Sequence, residues 1–331
     1  MKQRNPSIDI LKCIAALLIT NSHMELLYGK YSVMATGGAI GDVLFFFCSG
    51  FTLFLGRMGR FDNWYKRRIN RIYPTVFAWA IVQEFIFNYH KDIKYIIIHG
   101  GGWFVTCIMI YYVILYFIQR YMLNNLKLVF GIATTICIAW YIAIDRPVDY
   151  NMYGNTYFKW CHYFLFMLMG AILGINHKER TYSFKWDTFK LVSSIAIYYT
   201  YLFIGRKITI INEFQILSLI PLLMTVFYFY KICNSNTLKH CYKHRIGGYC
   251  IRLIGGLCLE IYLIQGALFT DQMNFIFPLN LIIMFGIILI GAYLLRCCAR
   301  IFSQTFKDGE YNWKDIGNKQ TDILKMKIKS K

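Results

Sequence analysis

Lys12 and His23 stand eleven residues apart in an otherwise mostly apolar stretch. On a helix that separation is about 16 Å along the axis and close to three turns, so both side chains fall on nearly one face. A lysine near the inner end of such a helix can meet an anionic group. A histidine deeper in can accept a proton from a hydroxyl near neutral pH, because its ordinary pKa is about 6.5. The bland alternatives are a lysine that snorkels to the inner headgroups and a histidine that is a satisfied polar group near the outer interface. Asp9, Asn21 and Glu25 share the stretch. Asn21 and Glu25 lie too close to His23 along the helix to share its face. Glu84 or Glu260 is therefore the better carboxylate to orient the imidazole, which makes His23, Lys12, Glu84 and Glu260 the catalytic candidates.

Other polar residues interrupt apolar stretches: Asp42, Gln83, Arg252 and Gln265. In hydrocarbon such groups persist only against a partner or a cavity. Arg57, Arg60, Lys66, Arg67, Arg68 and Arg71 crowd one short segment. Topology-setting charge explains most of it. Arg68 and Arg71, three apart, also enter a helix together and can clamp the phosphates of a nucleotide-bearing donor, with Arg67 beside them. Gly100, Gly101 and Gly102 permit a tight turn before Trp103. Trp103 is an interface anchor or part of a substrate wall. Cys233, His240, Cys241 and His244 are metal-capable types, but their spacing fits no compact zinc pattern, so no metal is expected. Ser49 lacks an evident base and reads as packing or cavity lining.

The elements that must position these residues follow from composition. Of 331 residues 57% are hydrophobic, 18% aromatic and only 16% charged, with a mean hydropathy of +0.42. A soluble domain carries about 25% charged residues and could not hide this much apolar surface. A bilayer can, at roughly 20 residues per crossing. Ten apolar stretches are expected as membrane helices: 8–26, 37–55, 72–89, 103–119, 128–144, 158–175, 191–204, 213–230, 250–269 and 277–295. Pro221 is expected to kink the eighth. With the amino terminus inside, 28 of the 36 basic residues fall in inward segments and 6 in outward loops. That asymmetry obeys the positive-inside rule and favours an even number of crossings, with both termini cytoplasmic.

The expected fold class is thus all-α, a polytopic membrane helix bundle. Residues 1–295 form the transmembrane domain and 296–331 a basic cytoplasmic tail. The net charge of +19 needs no nucleic acid; a basic inner face attracts anionic membrane lipids or an anionic donor. None of the eleven cysteines falls in an expected outward loop, which argues against a disulfide framework. The first stretch reads as a retained helix rather than a cleaved signal. The short outward loops exclude a large external catalytic domain. Oligomeric state is not legible.

Several motifs recur in a consistent order. They begin with Ile8-Asp9-Ile10-Leu11-Lys12 and His23, followed by Phe45-Phe46-Phe47-Cys48-Ser49-Gly50-Phe51. Next come Trp64-Tyr65-Lys66-Arg67-Arg68-Ile69-Asn70-Arg71-Ile72-Tyr73-Pro74, Trp103-Phe104, Phe164 to Gly170, and Leu259-Glu260-Ile261-Tyr262-Leu263-Ile264. Together they resemble the membrane-bound acyltransferase 3 family, which includes bacterial O-acetyltransferases of surface polysaccharides. The likeness covers roughly 8–270. Lys12 stands where the family has arginine, Gln265 where members often have histidine, and Ile108 where many have glutamate. Asp42 sits one residue before the usual acid.

The resemblance implies acetyl-CoA as co-substrate, bound by Lys12, Arg67, Arg68 and Arg71. It implies a glycan or glycolipid acceptor, for which Trp103, Asp42, Tyr262 and Gln265 are candidate contacts. It also implies a bacterial inner membrane. The activity would be O-acetyl transfer to a sugar hydroxyl. The competing classes are a transporter or flippase of a glycolipid or small solute, and a catalytically silent membrane scaffold. Transport would call for inverted repeats with interrupted helices, and no convincing pair is evident.

Overall fold

A computed structural model describes residues 5–56, 58–146, 150–176, 182–306, 311–313 and 316. Arg57 and the lysines at 325, 327, 329 and 331 lie outside the described residues. No strand occurs among those described, as expected. The chain forms α1 (Pro6–His23), α2 (Glu25–Tyr28), α3 (Gly38–Phe54), α4 (Phe61–Phe87) and α5 (Ile93–His99). There follow α6 (Gly102–Tyr121), α7 (Leu126–Ala143), α8 (Lys159–Ile175), α9 (Phe184–Gly205) and α10 (Thr209–Glu213). The last five are α11 (Leu219–Cys233), α12 (Asn236–Lys243), α13 (Arg245–Gly256), α14 (Cys258–Leu268) and α15 (Leu279–Thr305).

Each expected stretch coincides with a helix or a broken pair of helices. Four helices are long and apolar enough to cross a bilayer by length and composition, or up to six if each bent pair is one span. The bent pairs are Pro6–His23 with Glu25–Met34 and Arg245–Gly256 with Cys258–Leu268. The protein is thus a multi-pass helical membrane protein. Helices α3 and α8 have 17 residues each. At 1.5 Å per residue they rise about 25 Å, short of a typical hydrocarbon core of about 30 Å.

Three elements differ from expectation. Helix α4 begins at Phe61, so Lys66, Arg67, Arg68 and Arg71 stand on helix rather than in a loop. Burial of Trp64 on one face extends it, with Ile72, Val76 and Trp79 continuing the stripe. Pro221 lies in the first turn of α11, where the helix needs no amide donor, so it starts that helix instead of kinking it. Helix α15 continues past 295 to Thr305.

The chain divides into two compact units. The first comprises residues 1–19, 37–58 and 114–256, and its centre is the pair α3 and α8. A Cβ on Gly50 would collide with the Met167 carbonyl, and one on Gly170 with the Phe47 carbonyl. Only glycine lets these backbones touch. Phe46 packs on Tyr163 with ring centroids 5.6 Å apart, and Phe47 and Phe51 close on Tyr230 at 5.5 and 5.6 Å. These pairings run α3 and α8 in the same direction. Helix α1 runs opposite to α3, with Gly41 against the Ala15 carbonyl and Cys48 Sγ 3.9 Å from the Ile8 carbonyl. Helices α9 and α11 are also antiparallel, joined by Lys231 to Asp187 at 2.7 Å and by Thr225 to Ser194 at 3.1 Å.

The second unit comprises residues 20–36, 59–113 and 257–331. Antiparallel α14 and α15 are tied by a two-pronged ion pair, Arg296 Nε to Glu260 Oε1 at 3.0 Å and Nη2 to Oε2 at 2.6 Å. Phe77 of α4 stacks on Phe302 of α15 at 5.8 Å. Asn274 and Asn280 donate to the Leu26 and Leu27 carbonyls at 2.9 and 2.8 Å, which anchors the segment after α1.

Candidate active site

His23 is the last residue of α1, and the chain then bends by 64° into Glu25–Met34. Asn21 builds that break. Its amide donates to the Met34 and Thr36 carbonyls at 3.0 and 2.9 Å, and its Oδ1 accepts from Tyr28 OH at 2.7 Å. One side chain thus satisfies backbone carbonyls that a continued helix would have paired internally. The neighbouring Met24 is buried at 5% exposure, whereas His23 is exposed and has no hydrogen-bond partner among the described residues. Helix α1 is unbroken from Lys12 to His23, so the axial separation of about 16 Å derived from spacing holds.

Lys12 is half-buried in the first unit. Helix α13 meets α1 there at Gly255, where a Cβ would lie 2.9 Å from the Asp9 carbonyl and 3.5 Å from Lys12 Cβ. Asp9 Oδ2 accepts from Tyr242 OH at 2.8 Å, and the Arg252 guanidinium lies 5.3 Å from the Tyr242 ring centroid. The lysine therefore shares its surroundings with a second cation, Arg252, and with a carboxylate held by a tyrosine. On α4 the Arg68 guanidinium stacks over Trp64 at 4.1 Å and donates to the Trp64 carbonyl at 3.2 Å. Arg67 and Arg71 are exposed on the same helix.

Neither candidate carboxylate is hydrogen-bonded to His23. Glu84 Oε1 lies 2.5 Å from His90 Nδ1, and Glu260 is held by Arg296. Asp42, half-buried on α3, lies within electrostatic reach of the buried Lys159 on α8. Trp103 and Tyr262 come into one neighbourhood. The Tyr262 hydroxyl lies 2.8 Å from where a Cβ on Gly102 would stand, and its ring is 5.8 Å from Phe104, which meets Trp103 edge-on at 5.9 Å. Gly102 has φ +66°, a conformation open to glycine, so the glycine run is used as the sequence suggests. Gln265 is 3% exposed, and its Oε1 has no partner among the described residues. A buried amide left so costs about 1–3 kcal/mol, a debt that a bound hydroxyl or water would remove. Ile108 is buried in α6. Among the described residues no three His, Cys, Asp or Glu side chains converge on a metal site.

Fold and site define a helical membrane protein with an exposed, unpartnered histidine at a broken helix end. Residues 5–297 match the family model of the acyltransferase 3 acyltransferase domain, and the chain belongs to that family. No curated protein and no solved structure matches it. Reading the sequence singled out neither His90 nor Tyr242. His90 follows a helix end that Asn88 marks, since asparagine favours the left-handed conformation that turns a chain back. Tyr242 meets Asp9 across 233 positions, a pairing with no local signal.

Proposed function

We propose that this protein is an O-acetyltransferase that moves an acetyl group from acetyl-CoA to a hydroxyl of a cell-surface or lipid-linked glycan, in a bacterial inner membrane with both termini cytoplasmic. Family membership supports acyl transfer. The observation that carries the assignment to a residue is His23, exposed and without a hydrogen-bond partner at the end of α1. Lys12 and Arg252 meet the donor's anionic groups, and Arg67, Arg68 and Arg71 add guanidinium groups suited to phosphate. His23 takes the acceptor proton while that oxygen attacks the thioester carbonyl. The thiolate of CoA leaves and receives the proton. Alternatively the imidazole attacks first, releases CoA and carries the acetyl group to the hydroxyl. Trp103, Tyr262 and Gln265 contact the acceptor.

The test is transfer of labelled acetyl from acetyl-CoA to cell-surface glycan fragments by the purified protein. His23→Ala should lower the rate by about 100-fold or more, as expected for loss of a general base, with folding and insertion intact. Full activity in that variant ends the assignment. Uptake of the acceptor into vesicles free of acetyl-CoA would instead support transport.

A further inference from the structure

Where α4 ends and α5 begins, the second unit holds a cleft of about 400 Å³. Small-molecule sites span about 300–1,000 Å³. Asn88 creates it by closing α4 in the left-handed conformation at φ 53°, with the Tyr89 amide bonded back to the Gln83 carbonyl at 3.1 Å. That reversal returns His90 to Glu84, and Asp92 follows at the start of α5. All three line the cleft together with Phe77, Ile81 and Phe85.

We infer that this cleft is a carbohydrate-binding subsite in which Glu84, His90 and Asp92 hydrogen-bond the hydroxyls of a neutral sugar ring. The Glu84 to His90 contact uses one oxygen and Nδ1. Glu84 Oε2 and His90 Nε2 have no partner among the described residues. Asp92 occupies the position before α5 where a carboxylate ordinarily caps the helix, yet its side chain makes no capping bond. Its oxygens remain for a ligand. Lys91 also lines the cleft, with its Nζ donating to Gln83 Oε1 at 3.2 Å and lying 5.3 Å from the Tyr95 ring centroid. The lining thus offers several acceptors, one imidazole nitrogen and one ammonium, beside aromatic and aliphatic side chains. A sugar ring presents hydroxyl donors at its edge and C–H groups on its face, which suits both. An anion would meet two carboxylates against one ammonium, Lys91, which already donates to Gln83 Oε1. A bare acyl chain would leave the polar groups unmatched. The subsite's role in holding the acceptor rests on the transfer reading above; its binding does not.

Saturation-transfer NMR on the full-length protein in nanodiscs tests it, with methyl β-glucoside, methyl β-galactoside and methyl β-N-acetylglucosaminide as probes. At least one probe should bind. Its dissociation constant should rise tenfold or more in Ala80→Trp, which fills the cleft, and severalfold in His90→Asn, which removes the ring nitrogen with little change in bulk. His23→Ala should bind the probe like the wild type. The inference is overturned if no probe binds, or if folded Ala80→Trp and His90→Asn both bind unchanged. Probe binding without acetyl transfer in any form of the protein would sink the transfer reading and leave the cleft standing.

Discussion

His23 owes its place at a helix end to Asn21. The three hydrogen bonds of Asn21 hold the break after α1, and each is worth about 0.5–1.5 kcal/mol. Asn21→Ala should therefore lower kcat by an order of magnitude or more and leave the KM for acetyl-CoA nearly unchanged. A rise in KM alone would show that Asn21 serves the donor. Lys12 should behave the opposite way: Lys12→Ala should raise the acetyl-CoA KM, and Lys12→Arg should keep it low because a guanidinium also pairs with phosphate. Unchanged donor dependence in Lys12→Ala removes the lysine from that site. Glu260 was a reasonable catalytic candidate from sequence, but its carboxylate is spent on Arg296, with side-chain exposures of 5% and 19%. Removing one partner of a buried pair costs about 3–5 kcal/mol, whereas replacing both with apolar groups is often neutral. Thermal unfolding in detergent should thus show Glu260→Leu strongly destabilised and Glu260→Leu with Arg296→Met largely restored. Equal stability of wild type and Glu260→Leu would contradict a structural role for the pair.

At the scale of elements, the α3 and α8 contact is the least forgiving feature of the first unit. Backbone meets backbone at Gly50 and Gly170, and neither carbonyl can move without its helix. Overpacking commonly costs about 1–3 kcal/mol and more where only backbone can yield. Gly50→Leu should sharply reduce the yield of folded protein in detergent, while Gly131→Leu, where a Cβ meets nothing within 4 Å, should not. Similar yields for both would show that the close approach is dispensable. Helix α4 teaches a different lesson. Its basic segment looked like a loop because charge there serves topology. It is helical, and Trp64 and Ile72 are buried along it while Arg67 and Arg71 stay exposed.

For the whole molecule, the proposed layout with both termini in the cytoplasm rests on the basic bias of 28 inward to 6 outward residues. A fluorescent reporter at the carboxyl terminus should be bright, and an alkaline phosphatase fused there should be inactive. A cysteine placed at Lys91 should react with an impermeant thiol reagent added outside. Active phosphatase at the carboxyl terminus would invert the layout. Within the units, α1 with α3, α9 with α11 and α14 with α15 are antiparallel pairs.

The sequence by itself determined the helical class, the approximate helix positions and the family. Those depend on local hydropathy, charge asymmetry and short motifs, all properties of neighbouring residues. It also determined that Lys12 and His23 lie along one unbroken helix. Tertiary structure alone decided which carboxylate meets which cation. Glu84 turned to His90 and Glu260 to Arg296, because partner choice depends on which helices are adjacent and how they are rotated. It alone decided that α1 stops at His23, since the break is held by Met34 and Thr36 carbonyls more than ten residues away along the chain. Pairings set by packing leave no period or spacing to read.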